Sequence, residues 1–293
     1  MPFSIRLICK NTWIIYGEGC DCYLLEGQKE AIMIDAGGSC ENIRAYAQSF
    51  TSMLLKRVIN THSHFDHTGG NGFFDEILCT EKAAKSAKNT MGENPDKYPL
   101  DYTFTLVEDG DIIDLGGRKL KIIELDCHSP GDIAVLDMDG RMLFAGDEID
   151  SGQVLLLPGY AEQPGQIHAK AASSVETCLR TMRKLEVIKP QFDAIYPSHN
   201  GSPISVDYID WFVTLCEKII SGEIVGRKDC VSRSYSAKAT HYPYPFSHYL
   251  RGEYKGASLI YCSKLIRDQD YENADILLPA TPLHIISSYF TVR

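Results

Sequence analysis

Four potential metal ligands fall within the six residues His62-Ser63-His64-Phe65-Asp66-His67, between Thr61 and Thr68-Gly69-Gly70. They follow Leu54-Leu55-Lys56-Arg57-Val58-Ile59, an apolar run that reads as a buried strand. Side chains alternate along an extended backbone, so His62 and His64 point the same way and can hold one cation. Asp66 and His67 break that alternation as the chain turns, which lets them face a second cation. Imidazole and carboxylate are ligands that zinc and similar divalent transition metals accept. The plainer reading is a polar loop whose histidines cap a helix. A chain with nine histidines in all reaches this spacing rarely by composition alone, and the metal reading is preferred.

Three later segments would complete such a site, each where a strand should end. His128 follows Leu120-Lys121-Ile122-Ile123-Glu124-Leu125 and precedes the turn Ser129-Pro130-Gly131. Asp147 follows Met142-Leu143-Phe144-Ala145-Gly146, where a glycine lets the backbone come close to the site. His199 follows Phe192 to Ser198 and precedes Asn200-Gly201. Singly, each is as readily an ordinary loop residue or cap. Together, in this order and at the ends of apolar runs, they read as parts of one site.

The set resembles the metallo-beta-lactamase fold superfamily, and more closely its dinuclear metallo-hydrolases of the glyoxalase II and lactonase type. The resemblance covers about residues 1–220 and rests on five ordered motifs. The first is Asp35 in Ile32-Met33-Ile34-Asp35-Ala36-Gly37; the others are the His62–His67 loop, His128, Asp147 and His199. It implies an α/β fold, a four-layer αββα sandwich. It further implies that His62, His64 and His128 bind a first metal, that Asp66, His67 and His199 bind a second, and that Asp147 bridges both. Asp35 would then have a supporting role. The implied cofactor is a pair of divalent ions, zinc first, with manganese or iron as alternatives.

Two such cations roughly 3.5–4 Å apart lower the pKa of a shared water until hydroxide is available near neutral pH. The bridging hydroxide would attack an electrophilic carbonyl or phosphorus centre. Asp66 can also orient it by accepting its hydrogen bond, so Asp66 and Asp147 are the candidate catalytic residues. No serine or cysteine nucleophile is required. Ser63, Ser129 and Ser198 read as turn residues, and Cys127 as a core residue on the opposite face of its strand.

Composition frames this chemistry. At 293 residues and 44% hydrophobic content the chain can bury a large core. The expected division is a metallo-hydrolase domain over 1–225 and an extension over 226–293 that packs on the core as a lid or a homodimer contact. No apolar run approaches the roughly eighteen residues of a membrane span. Met1 to Lys10 has too short an apolar stretch for a signal peptide. Ten scattered cysteines then read as reduced thiols, and the expected location is cytoplasmic. A formal charge of −10 disfavours nucleic acid, whose phosphates need a basic surface; Arg180-Thr181-Met182-Arg183-Lys184 reads as a solvated helix face. The expected partner is a small-molecule substrate.

Strands are expected near 3–8, 13–17, 22–26, 31–35, 103–107, 111–115, 118–126, 132–138 and 141–146, the last two joined by an Asp139-Gly140 hairpin. Helices are expected from Ser39, over 80–88 with Thr80 as cap, over 168–187, and over 205–221 with Ser205 as cap. Residues 150–167 read as a loop walling the pocket, or equally as a buried strand and a plain loop. The proline-interleaved aromatics His241 to Tyr249 cannot form a regular helix, and Gly256 to Tyr261 reads as one more strand.

Departures from family patterns bear on the substrate. Zinc beta-lactamases generally lack an aspartate matching Asp147, which argues against antibiotic hydrolysis. Glyoxalase II-like sequences commonly carry His-Thr-Pro-Gly-His where this chain has His128-Ser129-Pro130-Gly131-Asp132. Asp132 is therefore a variant residue that supports a ligand imidazole or caps a turn, and it leaves ester, thioester, lactone and phosphoester all open. The alternatives to a hydrolase are a mononuclear iron dioxygenase of the persulfide dioxygenase type, sharing His62, His64 and His128, and a non-catalytic metal-binding protein on the same fold.

Overall fold

In the computed structural model, which describes residues 3–87, 98, 101–156, 167–168, 173–227, 249–272 and 277–278, the early apolar runs become a seven-stranded sheet. Its strands lie side by side in chain order: β1 (Ser4–Cys9), β2 (Thr12–Tyr16), β3 (Asp21–Glu26), β4 (Ala31–Ile34), β5 (Leu55–Ile59), β6 (Glu76–Cys79) and β7 (Phe104–Leu106). The first four pair antiparallel through short turns. From β4 onward the pairing is parallel, which demands crossovers. Helices α1 (Ile43–Gln48), α2 (Phe65–Thr68) and α3 (Glu81–Ala87) lie in those crossovers.

A second sheet has the order β14-β11-β10-β9-β8, from β8 (Ile112–Asp114), β9 (Lys119–Glu124), β10 (Ile133–Asp137), β11 (Met142–Gly146) and β14 (Ala194–Pro197). One core lies between the sheets, where Tyr23, Leu25, Ile32, Ile34 and Ile59 meet Leu120, Ile122, Ile133, Val135, Phe144 and Tyr196. The alternate residues Cys22, Leu24, Ala31 and Met33 face the other way, onto Ile43 and Ala47 of α1. Strands buried on both faces read as continuous apolar runs, which is why β3, β4, β10 and β11 show no polar alternation.

The chain divides into two compact units. Both sheets and α1–α3 belong to the first, drawn from 1–125, 131–146 and 191–198; the second is drawn from 126–130, 147–190 and 199–293. In the second, α4 (Val175–Ile188) packs on α5 (Asp207–Ser221), and α5 packs on a small sheet of order β12-β16-β15. These strands are β12 (Val154–Leu155), β15 (Tyr249–Tyr254) and β16 (Ala257–Cys262); β13 (Ile167–His168) pairs with β17 (Leu277–Leu278). Gly252 sits against Leu215 and Ile219, where any side chain would collide with Ile219.

The expected elements are largely present, with informative shifts. The helix expected from Ser39 starts at Ile43, because the Ser39 hydroxyl accepts from Glu41 N in a turn while Asn42 Oδ1 caps Ala45 N at 2.8 Å. Thr80 caps α3 through Ala83 N, as expected. The helix expected from 168 starts at Val175: Ser174 is its cap, and Ile167–His168 are extended. The β10–β11 turn is wider than a two-residue hairpin, since Asp137 pairs with Met142 and its carboxylate accepts from Asp139 N and Gly140 N. Residues 157–166 and the aromatic stretch up to 248 lie outside the described residues. Among the described residues no helix is long and apolar enough to cross a membrane.

Phe144 is fully buried between the sheets, in ring contact with Tyr23 and Tyr196. Phe144→Ala is expected to lower unfolding free energy by about 3–5 kcal/mol, read as a reduced denaturant midpoint at unchanged slope.

Candidate metal centre

In the first unit, β5 ends at Ile59 and delivers Asn60 to Thr68 beyond the edge of the sheet. His62 Nε2 lies 3.0 Å from His64 Nδ1. Two imidazole nitrogens on one tetrahedral zinc are separated by about 3.3 Å, given Zn–N distances near 2.0–2.1 Å, so this pair has a chelating separation. Asp66 and His67, on the short α2, follow; Asp66 Oδ2 lies 3.7 Å from His67 Nε2. His62, Asp66 and His67 are buried and His64 half-buried.

Behind the loop stands Asp35, at the end of β4 and in a left-handed conformation, φ 59°. It is fully buried, and a buried carboxylate must be hydrogen-bonded. Thr61 N and Thr61 Oγ1 each donate to it at 2.8 Å, and Ser198 Oγ at 3.4 Å. His67 Nδ1 lies 2.8 Å from Asp35 Oδ2. A carboxylate there accepts the proton of Nδ1, so His67 turns the lone pair of Nε2 outward as a ligand. Gly146 completes the support, because a side chain there would strike Thr61.

In the second unit, Asp147 has His128 and His199 as neighbours. Asp147 Oδ2 is 3.7 Å from His128 Nε2, and Asp147 Oδ1 is 3.3 Å from His199 Nε2. The two carboxylate oxygens therefore face different imidazoles. His128 Nδ1 lies 2.8 Å from the carbonyl of Leu155. A carbonyl only accepts, so that nitrogen carries a proton, and in the neutral ring Nε2 has the lone pair. Leu155 thus fixes the orientation of the His128 ring.

Several supporting residues escape a reading by motif. Glu148, buried beside Asp147, accepts from Cys127 N and from His128 N at 2.7 Å, which fixes the backbone that carries His128. Asn200 Nδ2 donates to both oxygens of Asp150 at 2.9 Å, and Gly152 leaves room for the Asn200 side chain. Burial pushes the Asp150 carboxyl up to about 7, against the hydrogen bond from Gly152. Asp132 is buried just before β10, its carbonyl accepting from Leu125 N. Cys127 is buried, as expected; hydrogen bonding with it and burial hold the Cys178 thiol well above its ordinary range.

Each unit therefore brings its own candidate ligands together: His62, His64, Asp66 and His67 in one, His128, Asp147 and His199 in the other. The profile of the metallo-beta-lactamase superfamily matches residues 15–199, the span that carries all seven. The chain belongs to this superfamily. It is similar to human acyl-coenzyme A thioesterase MBLAC2, 23% identical over 219 residues, 62% of this chain and 74% of that protein. It is also similar to the hydroxyacylglutathione hydrolase GloC of Haemophilus influenzae, 26% identical over 171 residues, 54% of this chain and 78% of that protein. Among solved structures, a metallo-beta-lactamase from Pontibacter korlensis superposes with a TM-score of 0.56 at 17% identity, over 73% of this chain and 98% of its own. That likeness carries the fold, mixed α/β with several sheets, as the sequence implies.

If Asp35 sets the His67 tautomer, Asp35→Asn should weaken binding of divalent metal by about 10–100-fold, measured by competition with a chromophoric chelator.

Proposed function

We propose that this chain is a dinuclear metallo-hydrolase acting on a small thioester. The observation that carries the reading is Asp147, whose two oxygens face His128 and His199. Those are the imidazoles that the family pattern gives to different cations. On this reading His62, His64 and His128 would hold one ion and Asp66, His67 and His199 the other, with Asp147 shared between them. The donor set fits, since five imidazoles and two carboxylates suit zinc and its neighbours. His67 and His128 each already have the proton on the nitrogen turned from the proposed ions.

When bound, the ions supply Lewis acidity and a water acidic enough to attack near neutral pH. The chain's own groups do the rest. Asp66 accepts a hydrogen bond from the attacking water and aims its lone pair at the acyl carbon. Asp35, Glu148 and the Leu155 carbonyl hold the ligands still, so little reorganisation is needed as charge develops. Asp132 belongs, on this reading, to the layer behind the ligands.

Thioester is the favoured class because the relatives are named for it: an acyl-coenzyme A thioesterase, and a hydrolase of an acylated glutathione, whose acyl–sulfur bond is of the same kind. The charge of −10 favours a small substrate over a polyanion. The nine described cysteines are free thiols, which supports a reducing location such as the cytoplasm.

The test is metal analysis of untreated protein alongside a panel of thioesters, esters, lactones and phosphodiesters. Two zinc or manganese ions per chain with thioester turnover is the expected result; one iron with oxygen uptake would assign the dioxygenase reading instead. Asp147→Ala should reduce bound metal and lower kcat at least about 100-fold, with turnover at the wild-type rate refuting the bridging role.

A further inference from the structure

Cys20-Asp21-Cys22 is the tightest cysteine spacing in the chain, and the hydrolytic chemistry gives it no part. Both side chains are buried, Cys20 at 1% exposure and Cys22 fully enclosed, and their sulfurs lie 3.7 Å apart. Cys20 Sγ also lies 3.0 Å from the backbone carbonyl of Asp66, to which it donates. A thiol has one proton, so between the two sulfurs it is Cys22 that donates. A thiol enclosed among apolar neighbours keeps its proton at neutral pH.

The Asp66 carbonyl needs a donor from outside its own helix. In an α-helix it would accept from the N–H four residues on, that of Gly70. Gly70 N instead donates to the Gly37 carbonyl at 3.2 Å, and α2 closes with Gly69 N on the Phe65 carbonyl. A carbonyl stranded at a helix end takes its donor from elsewhere in the fold, and the Cys20 thiol, just before β3, supplies one. The same turn touches Asp66 a second time. Gly19 stands at φ 111°, and a Cβ there would lie 2.7 Å from Asp66 Cβ. Residues 19–20 thus meet both the backbone and the side chain of Asp66.

These contacts matter because of what Asp66 is asked to do. Its carboxylate is assigned to one of two ions and aims the attacking water. A single turn such as α2 is too short to be rigid alone, so the direction of that carboxylate depends on the contacts around it. We propose that Cys20 is a positioning residue for Asp66: its thiol holds the Asp66 backbone so that the carboxylate meets its ion, and Cys22 keeps that thiol in place. The inference rests on the two-ion reading above and deepens it.

The test uses the full-length chain, stripped of metal and titrated with zinc against a chromophoric chelator, beside C20A, C20V, C20S and C22A. C20A should weaken one of the two zinc affinities about tenfold and leave the other within about twofold. C20V refills the space without a donor; it should repeat that loss, and it decides the question where C20A is too unstable to titrate. C20S keeps a hydroxyl donor and should bind both ions as wild type does. C22A opens a similar space beside Cys20 but leaves the donor, and it too should keep both affinities.

Both affinities within about twofold of wild type in C20A, or in C20V where C20A is unstable, overturn the proposal. So does an equal fall in both affinities, or a loss in C20S or C22A as large as that in C20A, since packing alone would then explain it. A wild-type chain that binds a single zinc defeats the two-ion reading alone, and that one affinity then decides Cys20 by the same tenfold fall or its absence, on the order expected for residues behind a ligand.

Discussion

A histidine ligates a cation only through the ring nitrogen that lacks a proton, so a metal centre depends on whatever holds the other nitrogen protonated. In this chain two groups do so by different means. The buried Asp35 carboxylate stands 2.8 Å from His67 Nδ1, and the Leu155 carbonyl stands 2.8 Å from His128 Nδ1. Each lock lies within its own unit. The folding of each unit therefore fixes a ligand's donor direction before any ion is bound, and the cost of ordering the imidazoles falls on folding rather than on binding.

The locks explain features that would otherwise look like extravagance. Asp35 has φ 59°, a conformation that non-glycine residues seldom adopt, and it is fully buried. Thr61 satisfies it twice. Thr61 in turn fits only because residue 146 has no side chain to strike it. A glycine at the end of β11 thus bears on a histidine tautomer on α2, through one threonine and one carboxylate. Such a chain of close contacts tolerates little substitution, since buried polar groups stranded by a small shift are costly.

How much of this was legible in the sequence follows from the kind of group involved. The His62–His67 loop is legible because its ligands are dense and follow an apolar strand. His128, Asp147 and His199 are legible because each lies within a few residues of the end of such a strand. The Leu155 carbonyl is illegible: every residue has a carbonyl, and only the fold says which one meets an imidazole. Glu148 belongs to no motif, and only the fold puts its oxygens on the amides of Cys127 and His128. Cys20 is 46 residues from Asp66, with no pattern to join them. The misplaced helix starts come from a choice among near-equivalent caps. Ser39 and Asn42 are equally good caps by residue type, as are several positions before Val175, and tertiary contacts choose among them.

The three acids Asp147, Glu148 and Asp150 show why residue type alone assigns no role. They lie within four residues on one turn, yet each carboxylate meets a different chemistry. Glu148 receives the backbone N–H groups of Cys127 and His128. Asp150 receives the Asn200 amide and Gly152 N, and burial still raises it to about 7. Asp147 faces ring nitrogens of two histidines, groups that share its capacity to bind a cation. Burying a carboxylate among imidazoles stabilises little unless a positive charge joins them, either a proton on the ring or a metal ion. The Leu155 carbonyl holds a proton on Nδ1 of His128, which leaves Nε2 as the nitrogen turned toward Asp147. The proposed metal ion would supply that charge between Asp147 and its two imidazoles.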